Sequence, residues 1–318
     1  MPMQVTLWQK KGLIFEPDGQ LDWARTHAQV PTVDVLDAER LRIYFSSRDA
    51  GNRSRIGSID VAAADPRNVL QVRPDPVLGL GALGAFDDCG TMPSWLLDHG
   101  GRKYLYYIGW NVRTTVPYHN AIGLAVSDDD GASFQRLHQG PVMDRTAEEP
   151  FFCATSCVLI DNGVWRNWYL SCTEWIDTGG VPEPRYHLKY AESRDGVHWE
   201  RKGIVALDYA GPDEGGIVRA SVLREGALYR MWFSYRKTIG YRDDAASSYR
   251  IGYAESTDGI VWQRNDALGG IDVSAAGWDA FMVAYPQVLD IGGALHLFYN
   301  GNGFGRSGIG YAVAAPCA

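Results

Sequence analysis

The sequence predicts an all-β protein, a five-bladed β-propeller of four-stranded antiparallel blades. Three observations predict it. One unit recurs five times along the chain; each copy is a series of short apolar runs broken by turn residues; and the strand missing from the last copy stands at the opposite end. The clearest copy spans residues 215–264, GGIVRASVLREGALYRMWFSYRKTIGYRDDAASSYRIGYAESTDGIVWQR. Its apolar runs lie at 218–223, 228–235, 250–255 and 260–264, separated by Glu225-Gly226, a polar loop and Asp258-Gly259. Runs of this length, rich in β-branched and aromatic residues and closed by Gly or Asp-Gly, form strands joined by hairpins. Four strands alone cannot cover both faces of their sheet, and radial repetition supplies the cover.

Each element recurs in order. The first strand carries a small residue or proline before an apolar pair, at Pro31, Pro93, Ser156, Ala220 and Pro286, 62 to 66 residues apart. The second reads IYFSSR (43–48), LYYIGW (105–110), WYLSCT (168–173), MWFSYR (231–236) and LFYNGN (297–302). The third reads RIGSID, AIGLAVS, HLKYAES, RIGYAES and GIGYAVA. The fourth follows Asp-Gly and starts on an aromatic residue, Phe134, Trp199 or Trp262, with a degenerate version at 65–72 in the first copy. The fifth copy has no fourth strand, but Trp8-Gln-Lys-Lys-Gly-Leu-Ile matches Trp199-Glu-Arg-Lys-Gly-Ile-Val in type. The N-terminal strand is therefore expected to complete the last blade and close the ring, which protects the sheet edges. The expected blades cover about 23–77, 86–142, 148–206, 213–268, and 278–318 plus 4–15. They form a single domain, 1–318, because each blade needs its neighbours.

Composition narrows the function. A net charge of −8 argues against general nucleic-acid binding, which needs a basic footprint. No stretch approaches the length of a membrane span, so no membrane partner is expected. The opening MPMQVTLWQKKG has no apolar signal region, and a cytoplasmic location is expected. The five cysteines are odd in number, and Cys153 and Cys157 have no zinc or redox spacing. Free thiols are expected, as in a reducing compartment. The segment GLGALGA (79–85) connects two blades; no helical pattern follows it, so a phosphate-loop role has nothing to attach to. The sequence assigns no oligomeric state.

In a propeller the first strands line the channel, and the residues entering them converge on one mouth. These approaches are RTHAQVP (25–31), FDDCGTMP (86–93), EEPFFCATS (148–156), DEGGIVRA (213–220) and GWDAFMVAYP (277–286). Four carry carboxylates and the other carries His27. Several carboxylates around an aromatic cavity suit glycoside chemistry, which needs one acid to protonate the leaving oxygen and one ionised base or nucleophile. Asp88, Glu214 and Glu149 are the catalytic candidates, and Cys89 lies beside the first. Glu174, Asp279 and His27 are further polar candidates for substrate binding. Trp110, Trp175 and Tyr285 offer faces for a sugar ring. Arg219, Arg236 and Arg250 could hold an anion, and Asn300 and Asn302 could bond hydroxyls. Loops between second and third strands add Arg48, Arg53 and Arg242.

Structural roles compete with these. Asp87 and Asp279 suit turn caps. Glu214 precedes two glycines that permit a close approach. Arg219 needs a partner, either Glu214 or an anionic substrate. Arg236 and Arg250 suit loop bracing. His27 could be a base, a ligand or a satisfied hydrogen-bonder. The aspartates of the Asp-Gly turns are hairpin chemistry.

The units IGLAVSDDDGASFQR, LKYAESRDGVHWERKG and IGYAESTDGIVWQR, on a five-fold repeat of this size, resemble the five-bladed propeller superfamily of arabinanases, β-xylosidases, invertases, levansucrases and β-mannoside phosphorylases. The resemblance covers nearly the whole chain. It implies an Asp on blade one, an Asp on blade two and a Glu on blade three, near the channel. This sequence departs from that pattern. Val30-Pro31, preceded by Gln29, stands for Asp-Pro, and Ala154-Thr155-Ser156 stands for Glu-x-Pro; only Asp88 falls near an expected place. The superfamily's phosphorylases are similar in holding phosphate with basic side chains, a role that Arg219, Arg236, Arg250 and Arg48 could fill.

The expected function is that of a carbohydrate-active enzyme, glycoside hydrolase- or phosphorylase-like. Its substrate would be a small molecule or oligosaccharide carrying an anionic group. The alternatives are a non-catalytic sugar-binding propeller, and a transferase or isomerase on an activated sugar. No cofactor is expected, although acidic groups and His27 leave room for a hard cation in the channel.

Overall fold

The computed structural model describes residues 6–314, and in it antiparallel hairpins follow one another along the chain. After β1 (Trp8–Phe15), the first group is β2 (Thr26–Val35), β3 (Arg40–Arg48), β4 (Ser54–Ala62) and β5 (Val69–Val72). The second is β6 (Gly90–His99), β7 (Arg102–Val112), β8 (Tyr118–Ser127) and β9 (Gln135–Arg136). The third is β10 (Cys153–Asp161), β11 (Val164–Asp177) and β12 (Pro182–Ser193), with β13 (Trp199–Glu200) and β14 (Val205–Leu207) both on β12. The fourth is β15 (Glu214–Glu225), β16 (Leu228–Lys237), β17 (Arg250–Ser256) and β18 (Gln263–Arg264). The fifth is β19 (Ala284–Ile291), β20 (Ala294–Asn300) and β21 (Ile309–Ala314).

The outermost strand of the fifth group is β1, antiparallel to β21, with Trp8 opposite Ala314 and Phe15 opposite Ile309. The N-terminal segment thus completes the last unit, as the sequence predicts. Of the expected span, residues 4–5 and 315–318 lie outside the described residues. The fold is an all-β propeller. Among the described residues no helix is long and apolar enough to cross a membrane. Cys89, Cys153, Cys157 and Cys172 are free thiols.

The Asp-Gly turns do two jobs. Inside a turn, Asp258 Oδ1 accepts the backbone N–H of Ile260 at 2.8 Å and of Val261 at 2.9 Å, and Asp195 repeats the arrangement. The glycines that follow, Gly196 and Gly259, hold φ of 74° and 75°, where a side chain would be strained. Outside it, the glycine carbonyl latches onto the preceding group. Tyr44 donates to Gly131 at 2.9 Å, Tyr106 to Gly196 at 2.7 Å and Trp168 to Gly259 at 2.8 Å.

Between groups the inner faces share cores. Tyr44 and Ile56 pack with Leu105 and Tyr107, joining the first group to the second. Tyr106 and Leu124 pack with Trp168 and Tyr190, and these with Met231 and Phe233. Trp232 and Tyr253 pack with Val288 and Tyr299. Val33 and Phe45 pack with Phe298 and Tyr311, joining the first group to the fifth. Each such aliphatic or aromatic side chain contributes about 1.5–3 kcal/mol when fully buried. Asn300 adds a polar tie across the same joint, accepting from Val30 N at 2.7 Å and donating to Ala28 O at 2.6 Å.

The inner strands β2, β6, β10, β15 and β19 all break register at one height, next to Pro31, Pro93, Ser156, Ala220 and Pro286. Proline and small residues fit there because a bulge releases the strand from its ladder. In four of the five the preceding residue is a non-glycine with positive φ: Val30 at 55°, Thr155 at 28°, Arg219 at 58° and Tyr285 at 55°. A β-branched residue in that region is a genuine outlier, held by its surroundings. The bulges lie where the inner strands face one cavity, which forms the mouth of the propeller.

Candidate functional site

That mouth is a cavity of about 530 Å³ to which all five groups contribute. The bulged inner strands supply Gln29, Val30, Met92, Ala154, Thr155 and Tyr285. The departures from the superfamily's acid pattern, Val30 and Ala154, are therefore part of the wall itself. The residues around the second turns supply the rest: Arg48, Asn52 and Arg53 from the first group, and Trp110 and Tyr118 from the second. Tyr186 comes from the third, Tyr241, Arg242 and Tyr249 from the fourth, and Phe304 from the fifth.

The wall is cationic and phenolic. It includes three arginines and, among the described residues, no aspartate or glutamate. Arg53 pairs behind the wall with Asp49 at 3.0 Å, and Arg242 forms two bonds of 3.1 Å with the buried Glu183. Arg48 differs from both. Its Nε donates to Gln29 Oε1 at 3.2 Å and its Nη1 to Asn52 Oδ1 at 3.0 Å, both neutral amides. Burial, with Arg242 nearby, holds its pKa down. A cation of this kind favours an anionic ligand that can bond its guanidinium directly.

Of the residues the sequence singles out, Arg48, Arg53, Cys89, Trp110, Arg242 and Tyr285 line the cavity. Trp110 is fixed by its Nε1 bond to Ser54 Oγ at 2.8 Å and lies against Gly90. The three expected catalytic carboxylates do not converge here. Asp88 turns back on its own loop and accepts Gly84 N at 2.9 Å. Glu149 accepts from Tyr169 at 2.9 Å and Ser171 at 2.8 Å, with Lys189 and Arg201 at 3.7 and 3.8 Å. Glu214 is clamped by Arg264 at 2.6 and 2.9 Å.

The carboxylates of the approaches are structural clips. Asp87 meets Arg136 at 2.7 Å and Tyr107 at 3.0 Å, and Asp279 meets Lys10 at 2.7 Å and Tyr299 at 2.9 Å. In each case the cation stands two residues after the aromatic residue that opens the outer strand: Phe134-Gln-Arg136, Trp199-Glu-Arg201, Trp262-Gln-Arg264 and Trp8-Gln-Lys10. The clip ties the entry of the inner strand to the outer strand of the same unit and draws the carboxylate away from the axis.

The remaining candidates also have structural partners. Arg219 is fully buried and does not meet Glu214. It crosses the channel to Pro31 O at 2.9 Å and Thr32 Oγ1 at 3.2 Å, over the Trp95 ring, and burial lowers its pKa to about 10. Arg250 braces loops through Tyr249 O, Phe281 O and Ala245 O, and pairs with Asp272 at 3.0 Å. Glu174 pairs with Arg185 at 2.8 Å on the surface. Trp175 backs the wall, its ring edge-on to Tyr118 at 5.4 Å. Asn300 is buried in the tie described above, and Asn302 accepts Phe281 N at 2.7 Å within its loop. His27, at φ 66°, bonds Thr26 Oγ1 at 2.8 Å. Burial, then Arg48 and Arg306, lower its pKa to about 4, so the imidazole is neutral near pH 7.

Arg236 is 1% exposed and sits directly behind the wall. Its guanidinium lies 3.9 Å from the Tyr241 ring centroid and 4.9 Å from that of Tyr186, and its Nε donates to Tyr186 Oη at 3.1 Å. The glycines after Glu214 make room for this pair. A Cβ on Gly215 would come 2.6 Å from Arg236 Nη1, and one on Gly216 would come 2.4 Å from the Tyr186 ring.

The sequence reading does not single out Tyr118, Tyr186, Tyr241 or Tyr249. A signal for two of them was present. Ser54, Asn120, Tyr186 and Tyr249 each stand one residue before the third-strand motif, and all four line the cavity.

The chain is 41% identical over 306 residues to Uncharacterized protein MT1551 and to Uncharacterized protein Rv1502, from two strains of Mycobacterium tuberculosis. The match covers 96% of this chain and 98% of each relative. No family model matches it. Similar solved structures include a glycosyl hydrolase from Bacteroides ovatus, at TM-score 0.70 and 14% identity over 98% of this chain and 94% of that one. A structure from the GH130 family of mannoside phosphorylases, which contains glycoside hydrolases that target β-1,2 mannosidic linkages in Candida mannan, reaches TM-score 0.68 at 15% identity, covering 99% and 96%. An exo-1,5-α-L-arabinanase from a bovine ruminal metagenomic library reaches 0.60 at 14%, covering 92% and 94%. At these identities the likeness is one of fold, the glycoside hydrolase-like propeller.

Proposed function

We propose, for a chain that belongs to one family with the mycobacterial proteins MT1551 and Rv1502, a carbohydrate-active enzyme whose substrate or co-substrate carries a phosphate-like anion. The site is the mouth of a single five-bladed domain. The observation that carries this reading is Arg48, a cation of the wall whose guanidinium, among the described residues, bonds the amides of Gln29 and Asn52 and no carboxylate.

Chemistry gives the reading its direction. Cleaving an ordinary glycoside needs an acid to protonate the departing alkoxide. The wall holds no carboxylic acid among the described residues, and Asp88, Glu149 and Glu214 have other partners. A phosphate leaving group, or phosphate as the attacking group, needs charge stabilisation instead, which Arg48 and Arg242 supply. Sugar phosphates and nucleotide sugars accord with a cytoplasmic location. The rings of Trp110 and Tyr285 offer faces for the sugar.

A thermal-shift panel of inorganic phosphate, sugar 1-phosphates, nucleotide sugars, uronates and neutral glycosides tests this. A ligand at 100 times its Kd stabilises by about 2.7 kcal/mol. We expect shifts with phosphate-bearing ligands that disappear in Arg48→Ala. Shifts with neutral glycosides alone would overturn the anion reading. The wall without carboxylates also favours a second reading, a sugar-binding propeller without turnover. It predicts the same shifts with no product after prolonged incubation.

A further inference from the structure

We propose that the mouth takes a sugar linked to a nucleoside diphosphate, with the two phosphates along the arginine-bearing arc of the wall and the base on the opposite, uncharged arc. The inference rests on the reading of the mouth as a sugar–phosphate site and names the class of substrate.

The wall is divided by charge. Its arginines come from two units, Arg48 and Arg53 from the first group and Arg242 from the fourth. The fifth group packs against both of these and adds Tyr285 and Phe304 between them. The second and third groups make the rest of the wall, and among the described residues they bring no charged side chain to it. Their share includes Met92, Ile108, Tyr118, Phe152 and Leu170, with the amide of Asn120.

The three arginines are anchored alike. Arg48 bonds Gln29 and Asn52 through Nε and Nη1. Arg53 meets Asp49 through Nε and Nη2, each at 3.0 Å, and Arg242 bonds Glu183 through Nε and Nη2. Each keeps one terminal nitrogen without an acceptor among the described residues: Nη2 of Arg48, Nη1 of Arg53 and Nη1 of Arg242. A guanidinium fixed through two of its nitrogens is pre-organised to offer the third to a phosphate oxygen.

The spread of these donors selects the anion. They belong to units that are not neighbours in the ring, on either side of the fifth group. Two phosphates in tandem spread their charge over the same arc, and each meets its own arginine. A single phosphate concentrates its charge at one of them. Behind the wall Arg236, and below it Arg219, meet no carboxylate among the described residues and add to the positive field. The uncharged arc then receives the other end of the molecule. The rings of Tyr118 and Phe152, 5.6 Å apart, offer faces to a flat base, and the Asn120 amide carries both a donor and an acceptor for its edge. A cavity of about 530 Å³ suits a ligand of this size better than a lone sugar phosphate.

Isothermal calorimetry at fixed ionic strength tests the assignment on the intact chain. Inorganic pyrophosphate should bind about tenfold or more tightly than inorganic phosphate, and at least one of UDP, ADP, GDP and CDP about tenfold or more tightly than pyrophosphate. Arg242→Ala should abolish the first step and leave phosphate binding at Arg48. Because that change leaves Glu183 buried without its cation, Arg242→Gln combined with Glu183→Gln keeps the test open if the single variant does not fold. Asn120→Ala should weaken the nucleoside diphosphate and leave pyrophosphate unaffected. Equal affinity for phosphate and pyrophosphate, or a preference for pyrophosphate that survives the loss of Arg242, would overturn the proposal. Farnesyl diphosphate binding more tightly than every nucleoside diphosphate would overturn the assignment of the uncharged arc to a base. Absence of binding by every phosphate-bearing probe would instead overturn the reading of the mouth on which the proposal rests.

Discussion

Two arginines at the same position of the repeat, Arg48 and Arg236, close the second strands of their units, and two rings of charge surround them. At the periphery, Asp87, Glu149, Glu214 and Asp279 each face a cation of an outer strand. At the mouth, Arg48 faces two amides and Arg236 faces phenol rings and carbonyls. Charge that the repeat preserves is structural, because each copy must fasten its inner strand to its outer one. Charge left without a partner appears where a repeat position changes its neighbours, and that is where a ligand can contribute.

The comparison breaks most visibly at the periphery. Asp87 is fully buried between Arg136 and Tyr107. Asp87→Ala leaves Arg136 without its carboxylate and should cost about 3–5 kcal/mol, measured by denaturant unfolding. Ligand shifts should persist in the folded fraction, because the clip does not form part of the wall. If Asp87→Ala abolished binding at unchanged stability, periphery and mouth would not be separable.

Gly216→Ala lies between the two regions. The added methyl would meet the Tyr186 ring at 2.4 Å. Overpacking of this kind costs about 1–3 kcal/mol, and the displaced ring should leave the bond to Arg236. We expect both a lower Tm and a weaker thermal shift with phosphate, because Tyr186 lines the cavity; a lower Tm with an unaltered phosphate shift would show that the ring keeps its place.

Arg48→Ala should change stability by less than about 1 kcal/mol, since the bonds lost are to neutral amides on a half-buried side chain. Phosphate affinity should fall at least tenfold, about 1.4 kcal/mol, by isothermal calorimetry. The contrast with Asp87→Ala, large in stability and small in binding, is the sharpest form of the comparison.

These outcomes bear on how much the chain reveals before it is folded. The strands, their order and the N-terminal completion of the last unit were legible, because strand periodicity and Asp-Gly turns are local and five copies reinforce one another. The channel was legible too, through Pro31, Pro93, Ser156, Ala220 and Pro286, which mark the bulges. The carboxylates were visible but not their direction, since Asp87 and Asp279 find Arg136 and Lys10 across 49 and 269 residues of chain. The pattern aromatic–x–cation on the outer strands would have exposed those pairs. The phenols were harder. Tyr186 is placed by Gly216 and Arg236 of the next unit, and no single strand carries that arrangement.

The smallest effect expected is that of His27 on pH dependence, and it probes the charge of the mouth directly. In the folded chain burial, then Arg48 and Arg306, pull its pKa from 6.5 down to about 4. Between those values the unfolded chain binds more protons than the folded one, so stability rises with pH. The contribution is complete above about pH 6.5 and is lost as the pH falls towards 4. His27→Gln should flatten that part of the stability profile slightly, because the ring is only partly buried and solvent screens it. A phosphate held by Arg48 would offset part of the positive field that keeps His27 neutral. Binding near pH 5 should then take up protons, measured as a dependence of the calorimetric heat on buffer ionisation enthalpy. Proton uptake that vanishes in His27→Gln places the anion beside Arg48; uptake that survives the substitution belongs to the ligand or to another group and separates His27 from the site.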